Sequence, residues 1–121
     1  MYSVTVKDHV MIAHSLRDPF FGPAQGMHGA TFAVEAIFSS QELTDKNVVL
    51  DIGEAASILK EVLSKLAYKN LDEIPEFEGI LTTTEFVAKY VHNQIKQRVE
   101  SRLSLKIILH ENPLASASYG E

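Results

Sequence analysis

Two long stretches of strict alternation constrain what this chain can fold into. At the start, Tyr2, Val4 and Val6 share one parity with Val10, Ile12 and His14, while Ser3, Thr5 and Lys7 take the other. From His28 to Phe38 the even positions Ala30, Phe32, Val34, Ala36 and Phe38 are all apolar, with Thr31 and Glu35 opposite. Side chains of a strand point alternately to its two faces, so both stretches read as strands with one face buried, the first with a bulge expected near Asp8 and His9. Between them Pro19, Gly22, Pro23 and Gly26 mark the segment Ser15 to Met27 as a long loop, a length often tied to function.

The pattern then changes period. After a polar turn from Ser39 to Lys46, Asn47 to Leu50 reads as a short strand. Asp51 and Glu54 have the spacing of a helix cap and its partner. Ile52, Ala55, Ala56, Leu59, Val62, Leu63 and Leu66 follow at three-four spacing, which predicts an amphipathic helix. Tyr68 to Gly79 reads as a connection. Thr82 with Glu85 repeats the capping pattern and opens a second helix that ends near Glu100. Leu103 to Glu111 alternates once more, Asn112-Pro113 ends it, and the Ala/Ser-rich tail carries no clear element. The order predicts one α+β domain over residues 1–121, a largely antiparallel sheet with two helices on one face. The open edges of such a sheet favour oligomerisation.

Composition removes several functions. Eleven Lys and Arg against sixteen Asp and Glu leave a net charge of −5 with no basic block, which argues against nucleic acid and anionic membranes as partners. With no cysteine, disulfides, thiolate metal sites and a thiolate nucleophile are excluded, and His and carboxylates remain the strong metal ligands. The first residues lack a charged segment followed by an apolar stretch, and no apolar run spans a bilayer, so a cytoplasmic chain is expected.

His14 closes the first strand and His28 opens the second. Facing strand ends could bring both imidazoles to one metal, or simply hold two hydrogen-bonded histidines at a sheet margin. Glu111 falls where the alternation calls for an apolar residue. It is either a carboxylate set to grip a planar amidine-like edge or a solvated residue on a frayed strand. Thr83, Thr84 and Glu85 could hold a ligand at a helix N-terminus, although capping alone accounts for Thr82 and Glu85. His92 reads as solvated at mid-helix, and His110 has the opposite parity to Glu111.

In this order Met11-Ile12-Ala13-His14, His28-Gly29-Ala30, Val48-Val49-Leu50-Asp51, Leu66-Ala67-Tyr68-Lys69-Asn70-Leu71-Asp72, Thr82-Thr83-Thr84-Glu85 and Glu111-Asn112 resemble the successive motifs of one family, over nearly the whole chain. That family is the 6-pyruvoyl-tetrahydropterin synthase and 6-carboxytetrahydropterin synthase group. The resemblance implies the tunnelling fold, in which trimers close their sheets into a barrel and often double to hexamers. It implies a pterin or related purine-derived ring as ligand, lyase chemistry on the ring's side chain, zinc held by three His, and a terminal Glu anchoring the ring. By the same resemblance Glu111, Thr83 and Thr84 would bind the ring, and His14 and His28 the metal. The third zinc position is Ala30, the catalytic Cys would fall near Ala24, and the Asp-His pair is replaced by Ala67 and Tyr68. Tyr68 as an acid-base group, and His9 or Asp18 as a third ligand, are the candidates to fill those gaps. A non-catalytic pterin-binding or assembly module that has lost the family active site is the alternative.

Overall fold

The computed structural model describes residues 1–121 as a five-stranded sheet with two α-helices against one face. The two alternating stretches form strands β1 (Tyr2–His14) and β2 (His28–Ser40), paired antiparallel in unbroken register from Tyr2 opposite Ser40 to His14 opposite His28. The register passes Asp8 and His9 without the expected bulge. A 3₁₀ segment, Pro19–Gln25, compacts the connecting loop, and Asp18 Oδ1 accepts from Phe20 N at 2.9 Å to start it.

Helix α1 (Ile52–Ser64) is capped by Asp51, whose Oδ2 accepts from Glu54 N at 2.9 Å. Residues 47–50 do not form the expected strand. Asn47 sits at φ 61°, and the carbonyl of Val49 accepts from Arg102 Nη2 at 2.8 Å instead of from a neighbouring strand. Val49 and Leu50 are buried all the same, which is why the segment looks apolar. The connection after α1 holds a two-residue strand, β3 (Lys69–Asn70), parallel to β1, and two 3₁₀ turns, Leu71–Glu73 and Pro75–Phe77.

Helix α2 (Thr84–Lys96) starts one residue later than the sequence suggests. Its cap is Thr83, whose Oγ1 accepts from Phe86 N at 3.2 Å, while Thr82 has another partner. Strand β4 (Ser104–Asn112) pairs antiparallel with β2, and the tail is not featureless: it folds back as β5 (Ala115–Gly120) along β4. The sheet order is β3-β1-β2-β4-β5. Even-numbered residues of β1 and β2 and odd-numbered residues of β4 join both helices in one continuous apolar core that includes Phe32, Phe38, Leu59, Leu105 and Ile107. The returning tail also corrects the reading of His92, which is only 8% exposed because Tyr119 covers it, the two rings meeting edge-on at 4.9 Å. Gly120, at φ +121°, lies so close to the Leu105 carbonyl that no side chain fits there. No helix is long and apolar enough to cross a membrane.

The other face of the sheet carries no helix. There His110 Nε2 donates to Glu35 Oε2 at 2.6 Å, with Lys7 Nζ 3.7 Å from the second carboxylate oxygen. The hydrogen bond from His110 is the main cause that holds the Glu35 carboxyl below its ordinary 4.5; partial burial opposes it and Lys7 assists. A carboxylate whose folded pKa is depressed stabilises the fold above the unfolded value, and that contribution disappears as pH falls through the lower folded value. Glu35→Gln should therefore lower the melting temperature at neutral pH, and the gap to wild type should narrow as pH falls below the ordinary carboxylate range. An equal gap at neutral and at low pH would contradict this account.

Candidate functional site

The site is assembled at one end of the sheet, where β1 ends, β2 begins and α2 starts. The register that pairs His14 with His28 brings their rings edge-on, with centroids 4.6 Å apart. Here the expected meeting of the two imidazoles is found. His14 is 3% exposed and also packs edge-on against Phe32 at 6.2 Å. Burial pushes its pKa below the ordinary 6.5, and the neighbouring His28 pushes the same way; a main-chain hydrogen bond at Thr82 and the carboxylates of Asp72 and Glu111 oppose them. The ring is thus kept neutral at physiological pH.

Each ring uses Nδ1 for a structural bond. Nδ1 of His28 lies 2.8 Å from the Gly26 carbonyl, which can only accept, so that nitrogen carries the proton. Nδ1 of His14 lies 3.0 Å from Thr82 Oγ1, and its Nε2 is buried with no protein partner. Metal-binding histidines carry this kind of supporting bond. The donor set nevertheless stops at two. Ala30 stands beside Ile12 and offers a methyl group, and no three His, Cys, Asp or Glu side chains converge anywhere in the chain. Catalytic zinc takes three protein ligands, so the residues present do not complete a zinc centre. Neither proposed third ligand joins: His9 lies on the helix-free face of β1, and Asp18 is engaged in its own turn.

Glu111 does not lie on the buried face. A register shift between His110 and Asn112 breaks the alternation, and Glu111 is exposed in the protomer. It shares a cavity of about 190 Å³ with Thr84, Glu85, Ala115, Ser116 and Ala117, where the start of α2 meets the β4–β5 hairpin. Thr84 and Glu111 are thus brought together, with Thr83 next to them as the helix cap.

Tyr68 stands apart, 85% exposed and at φ 58°, its N–H donating to the Met11 carbonyl at 2.7 Å. Ala67 packs against the core, and the Ala24 carbonyl accepts from Leu16 N at 3.0 Å. Two features escaped the sequence reading. One is Thr82. The other is a cluster beside His14, in which Ser15 donates to Asp72 through both N (3.1 Å) and Oγ (2.5 Å), and Arg17 Nε donates to Ser15 Oγ at 3.0 Å. Its members are 57 and 2 positions apart along the chain, with no periodicity to link them.

With this geometry in place, similarity to known proteins becomes informative. The family model described as 6-pyruvoyl tetrahydropterin synthase matches residues 3–121. The chain belongs to that family. A 6-pyruvoyl tetrahydrobiopterin synthase of Dictyostelium discoideum is 33% identical over 95 residues, covering 76% of this chain and 70% of that protein. Among solved structures, the 6-pyruvoyl tetrahydropterin synthase of Caenorhabditis elegans superposes with a TM-score of 0.86 at 23% identity, covering 100% of this chain and 97% of the other. The Plasmodium falciparum synthase gives 0.81 at 17% identity, covering 99% and 97%. At those identities the structural likeness establishes the fold, and it agrees with the α+β tunnelling architecture expected from the sequence.

Proposed function

We propose that this chain binds a pterin or a related purine-derived ring between the start of α2 and the β4–β5 hairpin, and acts as a lyase on the ring's side chain by chemistry altered from the family pattern. The observation that carries the reading is the cavity in which Glu111 meets Thr84 and Glu85, within electrostatic reach of His14. The Glu111 carboxylate accepts two hydrogen bonds from the amidine-like edge of the ring, a charge-assisted pairing that fixes its orientation. First-turn N–H groups of α2, at Thr84 and Glu85, have no partner within the helix and favour polar or anionic groups of the ligand. Nε2 of His14 is buried without a protein partner, and His28 packs beside it.

A zinc ion would find two imidazoles here, His14 and His28, and would need its other donors from water, the ligand or another protomer. No step is assigned to it. The open sheet edges at β3 and β5 support a homo-oligomer, trimer or hexamer, of the barrel type. The chain's acidic balance is consistent with a small-molecule ligand in place of nucleic acid or a membrane, and with a cytoplasmic protein.

Fluorescence titration with a pterin, in buffers with added zinc and with chelator, tests the reading. Micromolar binding that survives chelation is the expected result, and no binding in either buffer would remove the proposal. Incubation with dihydroneopterin triphosphate then separates catalysis from binding alone. The substitutions Ala30, Ala67 and Tyr68 favour the binding-only alternative if product fails to form.

A further inference from the structure

A second cavity, of about 280 Å³, opens beside the end of β1 and shares no residue with the one around Glu111. Part of its lining is polar and tied together. Ser15, only 6% exposed, donates to Asp72 Oδ2 through both N and Oγ, and Arg17 Nε donates to Ser15 Oγ at 3.0 Å. Nε is the only guanidinium nitrogen of Arg17 bonded within the protein, and no carboxylate pairs with it. The bond through Nε orients the guanidinium and leaves both Nη groups available as donors. Asp72 Oδ1 accepts only from Ser15 N, at 3.3 Å, so it keeps room for another donor. The rest of the lining is apolar, with buried Phe77 behind the exposed side chains of Ile80 and Leu81. A positioned donor fork, a carboxylate oxygen and apolar side chains in one concavity make a small-molecule site.

The charges select the ligand. Arg17 and Asp72 cancel each other, and Glu73, Glu76 and Glu78 crowd the same short stretch of chain as Asp72. A phosphate would therefore meet more negative than positive charge, and a simple amine would leave the Arg17 fork unpaired. A molecule carrying both charges satisfies both groups. We propose that this cavity binds a small zwitterion, an α-amino acid with an apolar side chain. Its carboxylate pairs with the Nη groups of Arg17, its ammonium with Asp72, and its side chain covers Ile80 and Leu81. The site is separate from the pterin site proposed above, and either can exist without the other.

NMR titration of the ¹⁵N-labelled full chain with L-leucine tests this, read on the Arg17 Nε–H signal and the amides of Ile80 and Leu81. Isocaproate, which lacks the ammonium, and isoamylamine, which lacks the carboxylate, are titrated in parallel. Leucine should shift these signals saturably, and each analogue should bind about tenfold more weakly or worse. Arg17→Gln, at an exposed position, should weaken leucine by about tenfold on the two amide signals. A wild-type protein that shows no saturable shift with leucine overturns the proposal, whatever the variant does. So does equal binding of either analogue, or undiminished binding by Arg17→Gln. Displacement of leucine by a pterin would also overturn it, because the cavity would then belong to the site around Glu111.

Discussion

Glu111→Ala should weaken pterin binding by about 1.5 to 3 kcal/mol, roughly ten- to a hundredfold in Kd, the range expected when a charged partner is removed from hydrogen bonds. The melting temperature should barely move. Glu111 is exposed at a register shift, and the strand pairing on either side of it, His110 with Ser116 and Asn112 with Ala115, depends on the backbone. This separation is what makes the variant informative: affinity falls while the fold is unchanged. Fluorescence titration measures the first and thermal melting the second. An unchanged Kd would remove Glu111 from the site.

Phe32→Ala should produce the opposite pattern, with stability lost first. Phe32 is fully buried on β2, the strand that lies between β1 and β4, and deleting a buried aromatic ring costs about 3 to 5 kcal/mol through lost transfer energy and the cavity left behind. That is a large share of the roughly 5 to 15 kcal/mol by which a domain is stable. Its ring also supports His14 edge-on, so ligand affinity should drop in whatever fraction remains folded. Phe20→Ala is the control. Phe20 is 86% exposed, and its removal should change stability by less than about 0.5 kcal/mol. Urea denaturation of the two variants gives the comparison. Equal losses would mean that the core is not built around β2 as described.

The strands and helices that place the site were legible because burial imposes a period. Even positions of β1 and β2 must face the helices, which puts His14 and His28 on the buried face at the ends of their strands, and the observed register pairs them. The missing pieces have no period to read. Strand β3 is two residues long, and β5 is built from Ala and Ser, which alternate without hydropathic contrast. Without β5 nothing in the sequence covers His92, so it looked solvated, although Tyr119 lies over it. Glu111 followed the parity of β4 in the sequence, but the shift after His110 moved it off the buried face.

Thr82 was concealed by a coincidence of local chemistry. Glu85 lies three residues after it, so the pair matches a capping box, and the competing requirement came from His14, 68 positions away in the chain. The long-range contact prevailed because His14 is buried and its Nδ1 needs a partner, whereas the helix takes its cap from Thr83. The same limit applies to Ser15, Asp72 and Arg17, whose bonds join residues with nothing to connect them before folding.

The most direct measurement is a crystal structure of the assembled protein soaked with a pterin. The account predicts the ring in the cavity between Thr84 and the β4–β5 hairpin, its amidine-like edge on the Glu111 carboxylate and Nε2 of His14 facing the ligand. A ring bound elsewhere, or a Glu111 left in solvent with the cavity empty at saturating pterin, would contradict it.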